Sequence, residues 1–420
     1  MTEVLVTGAG VLCATAPDTD AFARALRAGT SGIGLRTVDG DYPELRPRLC
    51  ADLPGFDLRT AVAGRAAALR RSALRVAGRS PLSVQASVTV ALEAWERSGL
   101  ADRPVPGERA GLIVAGHNLG GRYAEEVRHR YTGSPVHLPA RYPLQFMDTD
   151  HVGTVSQLLG LTGEGYTVGG ASASGNVAVI NAARLVAAGA VDVCLVLGAL
   201  TDLSDMERQA FYNLGAMAGG RGTAPQESSR PFDADHEGFV PGQGAACLVL
   251  ESAASAARRG AEVWARLAGY ALRLDGNGLA DPSLTGEAEV ISRAIRQAGL
   301  TPDRIDYVNA HGTGSPLGDE TELAALREVF GEGAGRPWVN STKGLVGHCL
   351  CAAGVVEAVA TLLQMRGRFV HGNANLRRPL AAGARLVGGR SRPLAIGYAV
   401  SNGFGFGGFN TSVVFGRPGM

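Results

Sequence analysis

TVGGASASGNVAVINAARL at residues 167–185 and GLVGHCLCAAGVVEAVATLLQM at residues 344–365 are two versions of one pattern. In each, a short glycine-bearing turn feeds directly into a helix of small apolar residues. The two stretches lie in different halves of the 420-residue chain, and the segments around them follow the same grammar. In the first half, EVLVTG (3–8) reads as a buried strand, 18–28 and 85–99 as helices and AGLIVA (110–115) as a strand. A helix over 172–188 follows, then strands at VDVCLVLGA (191–199) and GAACLVLE (244–251). In the second half, 261–272 reads as a strand, 285–299 as a helix, IDYVNA (305–310) as a strand and 315–330 as a loop then a helix. A strand pair at 393–400 and 410–415 closes the chain around the glycine run 403–408. Continuous apolar runs of this kind suit strands covered on both faces in a parallel α/β sheet. The pattern predicts an internally duplicated α/β protein with halves 1–255 and 256–420, joined through the small, polar, helical stretch 252–262. Residues 120–170, rich in turns, arginine and aromatics, read as a cap over a site.

Composition narrows the function. Hydrophobic residues make up 45% and charged residues 19%, enough for a large core and incompatible with wholesale disorder. With a net charge of +1 and no block of like charges, nucleic-acid and membrane-surface binding are not expected. No apolar run of 18 residues and no signal-peptide pattern is read in the chain. The six cysteines (Cys13, Cys50, Cys194, Cys247, Cys349, Cys351) lack the spacing of a disulfide scaffold or a metal site, so the reducing cytoplasm is the expected compartment. Cys349 and Cys351 beside His348 read as packing, and no metal is expected. Gly8-Ala9-Gly10 suggests a dinucleotide fingerprint, but Cys13 stands where its third glycine belongs, and that reading is discarded.

Of the 40 basic residues only one, Lys343, is a lysine. Arginine cannot replace lysine where a compact ammonium must point at a small site. Lys343 lies in STKGLVGHCLCAAGVVE (341–357), between glycine turns, five residues before His348 and upstream of Glu357. A helix starting near 348 would carry Glu357 deep enough to pair with a buried lysine. VNAHGTGSPLGDETE (308–322) takes a strand into His311 and a Gly-Thr-Gly loop before Asp319 and Glu322 open a helix. The carboxyl end of such a strand is where α/β proteins bind ligands, though a core-satisfied histidine is the alternative. Ser172 in GGASASG sits at a helix start beside amides that favour negative charge. It does not satisfy the G-x-S-x-G of the serine hydrolases, and an ordinary N-cap remains open for it. SNGFGFGGFN (401–410) is either a loop with an aromatic gate at Phe404 or a plain aromatic turn.

HGTGSPLGDETE, STKGLVGHCLCAAGVVEA, SRPFDADHEGFVPGQGA (229–245), SNGFGFGGFN and the opening EVLVTGAGV together resemble the signature segments of the β-ketoacyl-acyl carrier protein synthases. The resemblance spans 3–415. It implies the thiolase-like, duplicated, five-layered α-β-α-β-α fold, a homodimer, no resident cofactor, and substrates carried as thioesters on the phosphopantetheine arm of an acyl carrier protein. It further implies that His311 and His348 are the active-site histidines, Lys343 the site lysine, Glu357 its carboxylate partner and Phe404 the gating aromatic. The backbone N–H groups of Phe404 and residue 172 would form an oxyanion hole.

One departure carries the functional expectation. Where the family has a nucleophilic cysteine, this chain has Ser172. A thiol is readily ionised at a helix start, whereas a hydroxyl needs a positioned base. A chain that drops the acylation nucleophile and keeps the histidines fits decarboxylation of malonyl-ACP to acetyl-ACP. GGASASGN is similar to the ketosynthase-like decarboxylases of polyketide β-branching cassettes. The rivals are a serine-dependent acyltransferase or condensing enzyme, a non-catalytic chain-length-factor-like partner subunit, and an ordinary synthase whose cysteine was replaced. The Gly169-Gly170 pair before the elbow favours a native variant over the last of these.

Overall fold

The structure is a computed structural model that describes residues 2–36, 49–220, 224–278, 280–331, 337–380 and 384–419. Its first set of strands comprises β1 (Val4–Cys13), β2 (Ala110–Ala115), β3 (Gly165–Val168), β4 (Val193–Gly198) and β5 (Gly244–Ser252). They lie side by side in the order β3-β2-β4-β5-β1. The second set is β6 (Ala265–Leu274), β7 (Tyr307–Asn309), β8 (Trp338–Asn340), β9 (Tyr398–Gly405) and β10 (Phe409–Gly416). Its order is β8-β7-β9-β10-β6. Position by position the two orders are the same, and so are the directions. β2, β3 and β4 run parallel, as do β7, β8 and β9, while β5 and β10 are antiparallel to both neighbours. The duplication expected from the turn-helix repeat is therefore present in the topology. The two sets join where Leu5 and Val6 of β1 pair with Arg266 and Ala265 of β6.

Helices supply the other layers. On the outside of the first sheet lie α1 (Leu82–Arg97) and α2 (Thr149–Leu159). Between the sheets lies α3 (Ser174–Ala187). α4 (Leu284–Gln297) and α5 (Pro316–Phe330) cover the outside of the second sheet, and α6 (Ala353–Gly367) joins α3 in the middle layer. β4 shows why its sequence is apolar throughout. Leu195 and Leu197 pack outward with Trp95 of α1, while Cys194 and Val196 pack inward with Val179 of α3 and Val355 of α6. Alternate side chains of a strand face opposite layers, so a strand covered on both sides has no polar positions. The second sheet meets its outer helices through Ile291, Ile295 and Leu323, which pack on Val308 and Val414. Each such fully buried aliphatic side chain contributes roughly 1.5–3 kcal/mol.

The middle layer requires glycine. A Cβ on Gly175 of α3 would stand 2.7 Å from the Gly354 Cα of α6, so the backbones of the two helices touch at that pair. The segment Leu350–Gly367 has the length and apolarity of a membrane span, yet 89% of it is buried between the sheets.

Some local expectations need correction. Residues 120–170 hold a helix at Gly121–Tyr131, α2 and the edge strand β3 rather than turns alone. The helices expected from 172 and 348 begin at Ser174 and Ala353, each after a 3-10 turn. The glycine run 403–408 is not a loop between strands. β9 continues to Gly405, and only residues 406–408 form the turn into β10. A Cβ at Gly405 would collide with the Gly170 carbonyl, so the glycine lets a strand pass against the turn that carries Ser172.

Candidate active site

The parallel strands end in turns that converge on one cavity of about 870 Å³, whose wall includes Ser172, His311, His348 and Phe404. β3 leads into the 3-10 turn Ala171–Ala173 and then α3. Ala171 sits there at φ 47°, a left-handed conformation costly for a residue with a Cβ. The Ser174 hydroxyl ties the turn together, accepting from the Gly170 N–H at 2.9 Å and donating to the Ala171 carbonyl at 2.6 Å. Ser172 is thus lifted off the helix start, and no side chain caps α3. The N-cap alternative does not hold, because its Oγ lies 2.9 Å from His348 Nε2. The second half repeats the device. Leu350, at φ 50°, opens the 3-10 turn Leu350–Ala352, so Cys351 occupies the position matching Ser172. Cys349 and Cys351 are buried, free thiols.

His348 follows Gly347, which adopts φ 70°. Its backbone N–H donates to the Val240 carbonyl at 2.7 Å, drawing in the 229–245 segment. Its ring Nδ1 accepts from the Leu350 backbone N–H at 3.2 Å. A neutral imidazole that accepts at Nδ1 carries its hydrogen on Nε2, so Nε2–H points at Ser172 and the cavity. Burial, with the Lys343 charge nearby, holds His348 well below the ordinary imidazole range.

His311 lies two residues past the end of β7, and the carboxylates opening α5 hold its loop. Glu322 accepts from the backbone N–H of His311 at 2.9 Å and of Gly312 at 2.8 Å, and from Asn402 at 3.1 Å. Asp319 accepts from Phe232 N–H at 2.6 Å and Gly314 N–H at 3.0 Å. The lone lysine completes the arrangement. Lys343 is 1% exposed and paired with Glu357, and its Nζ donates to the His311 carbonyl at 2.6 Å. The same Nζ lies 3.4 Å from His311 Nδ1. An ammonium has donors only, so His311 too presents Nε2–H away from the lysine. Desolvation first, then Lys343 and His348, keeps the His311 ring well below its ordinary range. Burial pushes the Glu357 carboxyl up to about 7, against the pull of Lys343. The His311 ring stands 5.6 Å from His348 and 5.6 Å from Phe404, centroid to centroid.

All six residues singled out in the sequence therefore meet at one place. The sequence reading missed others. His117 and Glu287 also line the cavity. The Glu287 carboxyl is pushed well up by burial and by Glu322, Asp275 and Asp319. Beneath the lysine, Thr342 donates to Asn309 at 2.8 Å and lies 3.1 Å from His371, while Asn340 donates to the His371 carbonyl at 2.7 Å. The repeated Val-Asn at the ends of β7 and β8, which pair in register, was the available signal.

This duplicated fold, with a polar elbow residue facing two histidines and a buried lysine, defines a thiolase-like site. The chain belongs to the β-ketoacyl synthase family: residues 1–256 match its N-terminal domain and 264–377 its C-terminal domain. It is 39% identical over 98% of its length, and 95% of the relative's, to the "Polyketide biosynthesis malonyl-ACP decarboxylase PksF" of Bacillus subtilis. It is 32% identical to 3-oxoacyl-[acyl-carrier-protein] synthase 2 of Vibrio cholerae, covering 99% of each chain. Among solved structures, a β-ketoacyl synthase from Burkholderia phymatum superposes with a TM-score of 0.87 at 31% identity, over 99% of this chain and 100% of that one.

Proposed function

We propose that the protein decarboxylates malonyl-ACP to acetyl-ACP and supplies a polyketide β-branching pathway. The malonyl thioester oxygen would accept from Nε2–H of His311 and of His348. The bond between C2 and the carboxylate breaks, carbon dioxide leaves, and its electron pair forms an enolate stabilised by the two donors. C2 then takes a proton, giving the acetyl thioester. Lys343 and Glu357 fix the His311 tautomer, and Phe404 bounds the site beside His311. The backbone N–H groups at 172 and 404 are proposed as a further anion hole. In support, Gly405 brings β9 so near the elbow that its Cβ would lie 3.2 Å from the Ser172 nitrogen.

One observation carries this reading over serine-dependent acyl transfer. The imidazole touching Ser172 bears its hydrogen on the facing nitrogen, because Leu350 N–H occupies the other. It can donate, but it cannot act as the base a serine nucleophile requires. The complete histidine and lysine set weighs against a partner subunit without catalysis, and the name of the Bacillus relative points the same way. The phosphopantetheine arm enters as part of the substrate, and no resident cofactor is invoked. A homodimer is proposed from the exposed apolar residues Val136, Leu144, Phe146 and Met147. Six buried free thiols suit a cytoplasmic setting.

The test is incubation with malonyl-loaded carrier protein, followed by the mass of the carrier. Loss of carbon dioxide without elongation is expected. A malonyl carrier left unchanged would overturn the proposal.

A further inference from the structure

An enolate formed in this cavity needs a proton on carbon, and the groups around Ser172 supply it poorly. His311 and His348 are held neutral, and giving up Nε2–H would remove the bonds that stabilise the anion. The Lys343 ammonium is engaged by Glu357 and by His311. A serine hydroxyl is a weak acid.

A third imidazole packs beside the turn that leads to Ser172. β2 and β3 run side by side, with Ala115 opposite Val168, so the turn after β2 and the turn bearing Ser172 leave the sheet together. A Cβ on Gly169 would stand 2.6 Å from His117 Cδ2 and 3.5 Å from its Nε2. The ring thus fills the space of the side chain that Gly169 lacks, against backbone three residues before Ser172. His117 lines the same cavity and is also open to solvent.

The turn is built rather than loose. Asn118 takes φ 53°, and the N–H groups of Asn118 and Leu119 donate to the two oxygens of Asp148 at 2.7 and 3.0 Å. Gly116 N–H donates to Val168 at 2.9 Å, and Leu119 accepts from Asp202 N–H at 2.9 Å.

On the decarboxylase reading above, we propose that His117 is the general acid that protonates the enolate carbon. The C2–carboxylate bond breaks and carbon dioxide departs. The pair left on C2 takes a proton from a ring nitrogen of His117, and the ring recovers that proton from water. One proton is consumed for each carbon dioxide released. A positioned acid of this kind contributes about 10²–10⁴-fold.

His117→Ala and His117→Gln are to be assayed with malonyl-loaded carrier protein in the presence of ¹³C-labelled carbon dioxide. Acetyl-carrier formation should fall by about 10²-fold or more in both variants. The stranded enolate should recapture label into the remaining malonyl carrier, and added imidazole should restore turnover to His117→Ala. Undiminished acetyl formation in either variant, with no label returned, overturns the role of His117. Failure of the unmodified protein to release carbon dioxide would instead sink the decarboxylase reading itself.

Discussion

His348 Nε2 lies 2.9 Å from Ser172 Oγ, and the nitrogen on the far side of that ring is occupied by the Leu350 N–H. The hydroxyl is therefore an acceptor from the imidazole, not a proton donor to it. Ser172→Ala should keep decarboxylation within about tenfold of the parent, the cost of one hydrogen bond. Ser172→Cys places a thiol beside a helix start, where thiolates form readily. It should become sensitive to iodoacetamide and carry an acyl group after exposure to acyl-loaded carrier, read by intact mass. Abolition of decarboxylation in Ser172→Ala would restore the covalent rival.

On the proposed reading, removing either imidazole removes a donor to the developing enolate oxygen. His311→Ala and His348→Ala should each lower kcat by about 10²–10³-fold while KM moves little. Burial and the Lys343 charge keep both rings well below the ordinary imidazole range. Both rings should accordingly stay neutral through the usual value of about 6.5, and imidazole NMR shifts followed from pH 5 to 8 check this.

The Lys343–Glu357 pair is almost completely buried. Breaking such a pair from one side typically costs about 3–5 kcal/mol, because the partner charge is left without its cation. Lys343→Met should be strongly destabilised at pH 8. At acid pH Glu357 protonates and the loss shrinks, since a carboxyl whose folded pKa is raised stabilises the fold below its unfolded pKa and loses that contribution as pH rises. Replacing both residues, Lys343→Met with Glu357→Leu, should recover most of the melting temperature without recovering activity. Thermal melts at pH 5 and 8 separate these outcomes.

The site was legible because its chemistry is local in sequence. His311, Lys343, His348 and Glu357 lie in two short motifs, and a single lysine among arginines draws attention to itself. Strand existence was legible where apolar runs were long, as in β4 and β5. The three-residue β8 carries too short a pattern, and β3 is half-exposed at the sheet edge with little apolar signal. The elbow was misplaced by two residues because local propensity favours running the helix back to Ser172. Ser174 instead bonds across the turn and fixes Ala171 in the left-handed region. His117 could not be found from its surroundings. Its meaning comes from Gly169, which is close in space and far in sequence.

Two histidines outside the candidate site add to the acid sensitivity that His311 and His348 give the fold. His151 bonds Ser87 Oγ through Nδ1 at 2.9 Å, and His371 bonds the Gly372 carbonyl at 2.9 Å. Burial lowers both to about 4. Between about 4 and the unfolded value near 6.5 the unfolded chain binds protons that the folded chain refuses, so stability rises with pH through that window. It is fully present above about 6.5 and is lost as pH falls toward 4, on the order of 3 kcal/mol for each ring. Glu357, raised to about 7, pulls in the opposite sense over much of the same range. The melting temperature of the parent alone would mix the two effects, and the comparison of His151→Gln with the parent isolates the histidine. The variant should lose stability less steeply from pH 7 to 4.5, with the two melting curves drawing together at the acid end. Parallel curves across that range would mean that His151 takes up protons equally in the folded and unfolded chain.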